Sequence, residues 1–214
     1  MLEIAATIAY VKQELACAEA GHDWFHVERV YKTAQHIAQY ENVDVLVVKL
    51  AALLHDIADS KFNNGDEEIG PTKAGDFLRS LHVTENVVLH VQQIIRNMSF
   101  KNSFDAPTFS SPEMQVVQDA DRLDAMGAIG IARAFTYGGF KNRELYNPAI
   151  PPKTSQTKQD YKNTQAPTIN HFYEKLLLLK DGMNTPTGKK IAIQRHQFML
   201  AYLEQFYAEW EGER

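Results

Sequence analysis

Apolar residues recur every three or four positions along most of the chain, which is the spacing of amphipathic α-helices. In the first segment Ile4, Ile8, Val11 and Leu15 fall on one stripe, and Gly21 is expected to end that helix. No run stands out with the strict alternation of apolar and polar residues that marks a strand, and no segment repeats. The pattern therefore predicts an all-α fold built as a helical bundle.

Short polar residues mark where the helices begin. Five of them precede an apolar-periodic segment and are expected to be N-caps: Asp23, Asp44, Thr84, Ser111 and Thr185. The last two are followed by a proline, which suits the first helical position. The segment after Asp44, VLVVKLAALL, is apolar almost all round, so its helix is expected to be central and buried.

Two further helix starts are predicted from breaks in the pattern. A helix is expected to open at Pro71 or Thr72, and another at Thr168. The helix that follows Ser111 keeps its apolar spacing, so it is predicted to continue without interruption past Gly127.

Residues 137–168 are rich in Gly, Pro, Asn and Thr and have no helical period. They are predicted to form a flap that can close over a substrate. The predicted organisation is one domain over residues 1–214, with a core over about 1–135 and C-terminal helices over about 169–211.

Composition narrows the class of partner. The 214 residues include 22 Lys and Arg against 27 Asp and Glu, a formal net charge of −5, and 44% are hydrophobic. The sequence has no block of basic residues that could bind duplex nucleic acid or a membrane surface, so a small-molecule partner is expected.

Cys17 is the single cysteine, which excludes an intramolecular disulfide and a Cys-rich zinc module. With no signal peptide and no membrane-spanning run, a cytoplasmic location is expected. The oligomeric state stays open.

His55 and Asp56 follow directly after the most apolar helix of the chain. Burying a carboxylate beside an imidazole costs several kcal/mol unless a charge compensates it, and a divalent cation would compensate both groups. The carbonyl end of a helix also carries partial negative charge, which favours a cation. The two residues are therefore predicted to be a metal-binding pair.

His26 and Asp121 stand beside the apolar stripes of two other predicted helices, and side chains from three helices can meet inside a bundle. A buried ion-pair network is the structural alternative for this set. Asp119 competes with Asp121 as a ligand, because residues two apart on a helix point about 200° apart and only one can face the site. Nitrogen and oxygen donors together favour a transition metal over Ca²⁺. The remaining helical histidines are expected to pack or to face solvent: His36, His82, His90 and His196.

The order His26, then the adjacent His55 and Asp56, then Asp121 resembles the H…HD…D signature of the HD superfamily of metal-dependent phosphohydrolases. Three local sequences around these residues are similar to the superfamily too: HDWFHVERV, AALLHDIADSKF and VQDADRLDAMGAIGIARAF. The C-terminal segment over 171–190 resembles a small single-domain bacterial subgroup. The resemblance implies an HD-domain helical bundle with a C-terminal helical extension. It also implies hydrolysis of a phosphate or diphosphate ester, with nucleotides as the usual substrates.

The resemblance also implies roles for individual residues. The four signature residues become the ligands of one divalent ion, expected to be Mn, Ni, Co, Fe or Mg. Asp59 stands where several members have a Glu that orients the attacking water, and it is one methylene shorter. Lys61 is the nearest cation in sequence for the charge on the transferring phosphoryl group. Asn97 and Met98 stand where the subgroup often has a His, which favours one metal over two.

Four side chains are expected to contact the substrate: His22, Arg29, Arg122 and Lys175. The expected function is a metal-dependent phosphohydrolase acting on a small phosphorylated molecule, most simply a nucleotide, with release of phosphate or pyrophosphate. The shorter Asp59 keeps open an alternative, a regulatory module that binds a nucleotide through its metal with little or no turnover. An oxygen-activating di-iron enzyme on the same scaffold is disfavoured by the missing histidines.

Overall fold

The computed structural model describes residues 2–16, 23–58, 66, 68–98, 109–153 and 166–214. Within these ranges the chain is helical and contains no strand, which confirms the all-α prediction. The helices are α1 (Leu2–Glu14), α2 (Trp24–Ala38), α3 (Val45–Leu54), α4 (Ile69–Ser80), α5 (Glu85–Asn97), α6 (Pro112–Asp124), α7 (Gly127–Phe140), α8 (Asn170–Glu174), a 3₁₀ helix (Leu176–Gly182) and α9 (Pro186–Trp210). In this part of the chain no helix is both long and apolar enough to cross a bilayer.

The chain divides into two compact units, Met1–Asp121 and Arg122–Arg214, and the division falls inside α6. In the first unit α3 is central, because it packs against α1, α2 and α5, while α4 packs against α5. Leu50, Leu53 and Leu54 of α3 are inaccessible to solvent, as expected for a helix that is apolar almost all round. This central helix ends immediately before the HD pair.

Local capping sets where α3 begins. The Asp44 carboxylate accepts hydrogen bonds from the N–H groups of Leu46 at 2.8 Å and Val47 at 3.3 Å, so two otherwise unpaired donors of the first turn are satisfied. Asp23 caps α2 and Ser111 caps α6 in the same way, as predicted. The ends of the helices that carry the site are thus fixed by residues that the sequence identifies.

Helix α1 ends at Glu14, earlier than the predicted stop at Gly21. Its last turn tightens, because the N–H of Ala16 bonds to the Gln13 carbonyl, three residues back. The ammonium of Lys12 lies 4.7 Å from the centre of the Trp24 ring, which places a cation over the aromatic face at the start of α2.

Helix α4 begins at Ile69, two residues before the predicted start at Pro71. A proline is tolerated there, because N–H groups of the first helical turn have no intrahelical partner to lose. Glu68, the residue before the helix, forms an ion pair with Arg96 of α5 at 2.7 Å, which joins α4 to α5.

In the second unit the prediction of one helix running past Gly127 is wrong. The chain breaks between α6 and α7 because Gly127 has a φ of +69°, a conformation that side chains other than glycine rarely adopt. A Cβ on Gly130 would collide with the Ala125 carbonyl oxygen, so the turn also depends on that glycine. The Gly127 N–H donates to the Met199 sulfur at 3.1 Å, which anchors the start of α7 against α9.

Two boundaries near the predicted flap also differ from the prediction. Helix α7 extends to Phe140, so the first residues of the flap are helical, and residues 154–165 lie outside the described ranges. Helix α8 begins at Asn170, and the residue before it is Ile169, which makes no side-chain cap, rather than the predicted Thr168. The Thr168 N–H bonds to the Glu144 carbonyl at 2.9 Å. Whether the segment closes over a substrate stays a prediction.

Helix α9 begins as predicted, with Thr185 accepting from the Gly188 N–H at 2.9 Å. Met199 and Leu203 on its inner face are buried. Near its C-terminal end Trp210 packs edge-on against Tyr146, with ring centres 5.1 Å apart. The second unit thus has an aromatic cluster of its own.

Candidate metal centre

Three ligand-type side chains of the first unit come together. His26, His55 and Asp56 each offer a nitrogen or oxygen atom, and these atoms all lie within 4.8 Å of one another. His26 is buried, whereas His55 and Asp56 are half-buried. Helix α2 carries His26, and α3 leads directly into His55 and Asp56; the two helices pack against each other, so the convergence follows from the fold.

His26 is held by the first turn of α2. Its backbone N–H donates to the Asp23 carboxylate at 2.9 Å, and Val27 and Val30 of the same helix are buried as well. The residue is only 2% exposed, so the packing around it restricts the ring.

His55 follows the last turn of α3, and a backbone contact orients its ring. The ring Nδ1 lies 2.8 Å from the Ala52 carbonyl oxygen. A carbonyl can only accept, so Nδ1 carries the hydrogen and Nε2 keeps a free lone pair, the form in which histidine binds a metal. This carbonyl was not foreseen from the sequence, since backbone groups leave no residue-type signal. Its position three residues before a histidine at a helix end is the cue that could have found it.

The spacing of the two imidazoles fits a shared cation. The Nε2 atoms of His26 and His55 are 3.3 Å apart. Two nitrogens bound at about 2.1 Å to one ion would be separated by about 3.0 Å at a right angle and about 3.4 Å at a tetrahedral angle. The observed separation lies between these values, as expected for two adjacent positions around one metal.

Asp121 lies beside this group. Its Oδ1 is 3.5 Å from His26 Nε2, and its side chain is 41% exposed. Asp119, the competing residue, is wholly buried two positions earlier on α6, about 200° around the helix axis. Of the two carboxylates it is Asp121 that faces the histidines.

The donor set suits a divalent cation. Two imidazoles and the carboxylates of Asp56 and Asp121 supply nitrogen and oxygen donors, which favour first-row transition metals over Ca²⁺. The last carbonyls of α3 point toward the same end of the helix and add negative potential. The residues present therefore fit a bound metal ion.

The other predicted site residues are distributed over both units. Arg29 lies one turn after His26 on α2 and is half-buried. In the second unit the Arg122 guanidinium donates to the Gly182 carbonyl, and Lys175 connects α8 to the 3₁₀ helix. Three residues with predicted roles lie outside the described ranges: His22, Asp59 and Lys61. All of these assignments stay predictions.

A second set of polar groups lies in the second unit. Burial and the nearby charges of Lys175 and Arg143 lower the pKa of His171 to about 4, so this ring is neutral near pH 7. Asp124 is buried and forms an ion pair with Arg133 at 2.6 Å. Burial also lowers the pKa of Arg195, whose guanidinium donates to the Leu123 carbonyl.

Comparison with known proteins agrees with the resemblance to the HD superfamily. The model of the HD domain family matches residues 24–126, the range that holds His26, His55, Asp56 and Asp121. The Bacillus subtilis protein YpgQ is 38% identical over 204 residues, which cover 95% of this chain and 91% of YpgQ.

Solved structures agree with this match. An HD-superfamily hydrolase from Bacillus thuringiensis is 45% identical with a TM-score of 0.79, covering 98% of this chain and 97% of that one. The crystal structure of YpgQ in complex with ADP is 35% identical with a TM-score of 0.76, covering 97% of this chain and 95% of that one. The similarity extends over nearly the whole of each chain.

Proposed function

The chain belongs to the HD superfamily, and on that premise we propose that it is a divalent-metal-dependent phosphohydrolase acting on a small phosphorylated substrate. The observation that carries the proposal is the convergence of His26, His55 and Asp56 within ligand distance, with Asp121 beside them. These residues would hold the metal. When bound, a divalent cation lowers the pKa of a coordinated water and polarises a phosphoryl oxygen.

The protein's own groups would supply the remaining chemistry. The Ala52 carbonyl keeps the His55 lone pair directed at the metal position. Asp59, three residues after Asp56, would accept the proton of the attacking water, and Lys61 would balance charge on the phosphoryl group. Both roles rest on sequence position and family resemblance.

A nucleotide is the proposed substrate class. The support is the complex of YpgQ with ADP, because that relative covers nearly the whole of this chain. The phosphate contacts would come from His22, Arg29, Arg122 and Lys175, each of which offers a hydrogen-bond donor. The net charge of −5 agrees with capture of a small ligand by local donors rather than of a long polyanion.

A regulatory module that binds a nucleotide without hydrolysing it is the second candidate. The observation that favours it is Asp59, whose carboxylate reaches less far than the Glu of several HD hydrolases. Nucleotide binding by a relative is compatible with both candidates, so only turnover separates them.

The deciding experiment is a turnover screen of the purified protein. Nucleoside mono-, di- and triphosphates are incubated with Mn²⁺, Co²⁺, Ni²⁺ or Mg²⁺, and the nucleoside products, phosphate and pyrophosphate are quantified. Asp56→Ala serves as the control that lacks a ligand. Metal-dependent product that disappears in this variant supports the hydrolase. Nucleotide binding at micromolar affinity with no product under any metal favours the regulatory module.

A further inference from the structure

A buried carboxylate joins three helices of the first unit at the end opposite the HD pair. Glu113, in the first turn of α6, is only 9% exposed, although glutamate is rarely buried without a function or a partner. Its Oε1 accepts the backbone N–H of Asp44 at 2.9 Å, and its Oε2 lies 3.5 Å from Nε2 of His90 on α5.

The same cluster contains Ser111, so a serine, a histidine and a glutamate meet in one place. Ser111 Oγ is 2.9 Å from His90 Nε2, the same ring nitrogen that faces Glu113. In a hydrolytic triad the serine and the carboxylate occupy opposite nitrogens of the imidazole. Ser111 Oγ also accepts the Met114 N–H as the cap of α6, at 3.1 Å. The cluster is therefore not a second nucleophilic site.

The bond between Glu113 and Asp44 joins the starts of two helices that matter for the metal centre. Asp44 immediately precedes α3, and α3 leads into His55 and Asp56. Glu113 lies in the first turn of α6, and α6 carries Asp121 two turns later. The two residues are 69 positions apart in the chain, so this contact is a tertiary one that directly connects the two helix starts.

A helix behaves as a stiff rod over this length, so fixing its start also fixes the direction of its end. A small tilt of α3 relative to α6 would alter the separation of Asp56 and Asp121. Metal affinity depends steeply on such separations, because ligand distances are set within a few tenths of an ångström.

We propose that Glu113 is a positioning residue of the metal centre, which holds the N-terminus of α3 against that of α6 so that the HD pair and Asp121 keep their ligand geometry. The inference rests on the proposed metal site. Glu113 acts through the backbone of Asp44 and makes no contact with the metal in this scheme.

The test compares Glu113→Ala with Glu113→Gln. Alanine removes the acceptor of the Asp44 N–H, and we expect the dissociation constant for Mn²⁺, measured by calorimetry, to rise about fivefold to tenfold. The visible absorption of bound Co²⁺, which reports ligand geometry, should change as well. Glutamine retains a carbonyl oxygen at the same length, so it should restore both readings.

Leu78→Ala on α4 is the matched control, because it destabilises the core of the same unit from a helix that carries no proposed ligand. It should lower the unfolding midpoint and leave the Co²⁺ spectrum of the folded protein unchanged. An unchanged Mn²⁺ affinity and Co²⁺ spectrum in Glu113→Ala would overturn the inference.

Should the alanine variant fail to fold, Glu113→Asp decides, because it keeps the buried charge but draws the oxygen away from Asp44. Weaker Mn²⁺ binding with an altered Co²⁺ spectrum supports the positioning role, and wild-type values refute it. Failure of the wild-type chain to bind Mn²⁺ or Co²⁺ at all would instead refute the metal site itself, so the two failures are distinguishable.

Discussion

At the scale of single residues, Asp56 is the carboxylate on which the metal centre depends most directly. It belongs to the group of three whose donor atoms lie within 4.8 Å of one another, and it directly follows His55 at the end of α3. Without it the two imidazoles would keep a single carboxylate, that of Asp121 on α6, as their anionic co-ligand.

Replacing Asp56 by alanine is expected to lower the affinity for Mn²⁺ by at least about a hundredfold, since even residues that only support a ligand contribute about ten- to a hundredfold. Activity should be lost with the metal. Calorimetry and elemental analysis of the purified variant measure this. Asp76→Ala, which removes an exposed carboxylate from α4, should bind metal like the wild type. Near-stoichiometric metal in Asp56→Ala would exclude Asp56 as a ligand.

Replacing Asp59 by alanine tests the proposed base. Loss of a general base should reduce kcat by about two to four powers of ten while the metal stays bound, because Asp59 is not one of the proposed ligands. Steady-state kinetics with metal content measured in parallel separates this result from loss of the ion. A kcat equal to that of the wild type would remove Asp59 from the reaction scheme.

His171 should make the stability of the second unit depend on pH. Its pKa falls from 6.5 to about 4 on folding, because burial and the nearby cations disfavour the charged ring. Between these pH values the unfolded chain binds more protons than the folded one, so stability rises with pH through this window and is lost on acidification. The pKa difference corresponds to up to about 3 kcal/mol.

Urea unfolding of the wild type and of His171→Asn from pH 7 to pH 4 measures this contribution. The difference in unfolding free energy between the two proteins should shrink as the pH falls below about 6.5. A difference that stays constant across the range would show that the ring titrates alike in both states.

At the scale of elements, the turn between α6 and α7 depends on Gly127. Its φ of +69° requires glycine, and a Cβ there would lie 3.1 Å from Cγ of Arg195. Gly127→Ala is therefore expected to destabilise the protein by about 1–2 kcal/mol. Gly139 on α7 has open space around the position of a Cβ, so Gly139→Ala should be neutral or stabilising by about 0.5–1 kcal/mol. Urea unfolding of both variants provides the comparison, and equal effects would contradict the argument.

The elements also show which parts of the fold the sequence predicts. Caps such as Asp44 and Thr185 are local, because the side chain bonds to N–H groups two or three residues away, and they were found where expected. The break at Gly127 was missed because the apolar spacing continues through it and helix-forming residues flank it. Helix α8 begins at Asn170, later than a Thr168 cap would give, and the Thr168 N–H bonds to the distant Glu144 carbonyl, a contact that no local pattern encodes.

The same distinction holds for the site. The pair His55 and Asp56 is visible in the sequence because both residues follow one apolar helix, and the family resemblance adds His26 and Asp121. The orientation of His55 by a carbonyl, and the contact of Glu113 with Asp44 from 69 residues away, depend on tertiary packing. The identities of the proposed ligands could therefore be predicted from the sequence, whereas the tertiary contacts that orient their side chains could not.

At the scale of the whole molecule, the four proposed ligands all belong to the unit Met1–Asp121. Metal binding should therefore stabilise this unit directly, by about 2.7 kcal/mol when free metal exceeds the dissociation constant a hundredfold. Amide hydrogen exchange with Mn²⁺ and with EDTA should show increased protection in α2, in α3 and at the end of α6. Amides in the second half of α9 serve as the internal control and should change little. Uniform protection of both units would indicate that they respond to the metal as one cooperative body.

The two tryptophans of the chain are divided between the units. Trp24 stands two residues before His26 with the Lys12 ammonium over its ring, and Trp210 lies against Tyr146 at the end of α9. Each half of the protein thus contains its own intrinsic fluorophore. Emission from a Trp210→Phe variant would report metal titrations and melting of the first half alone, and Trp24→Phe would report the second, without any attached dye.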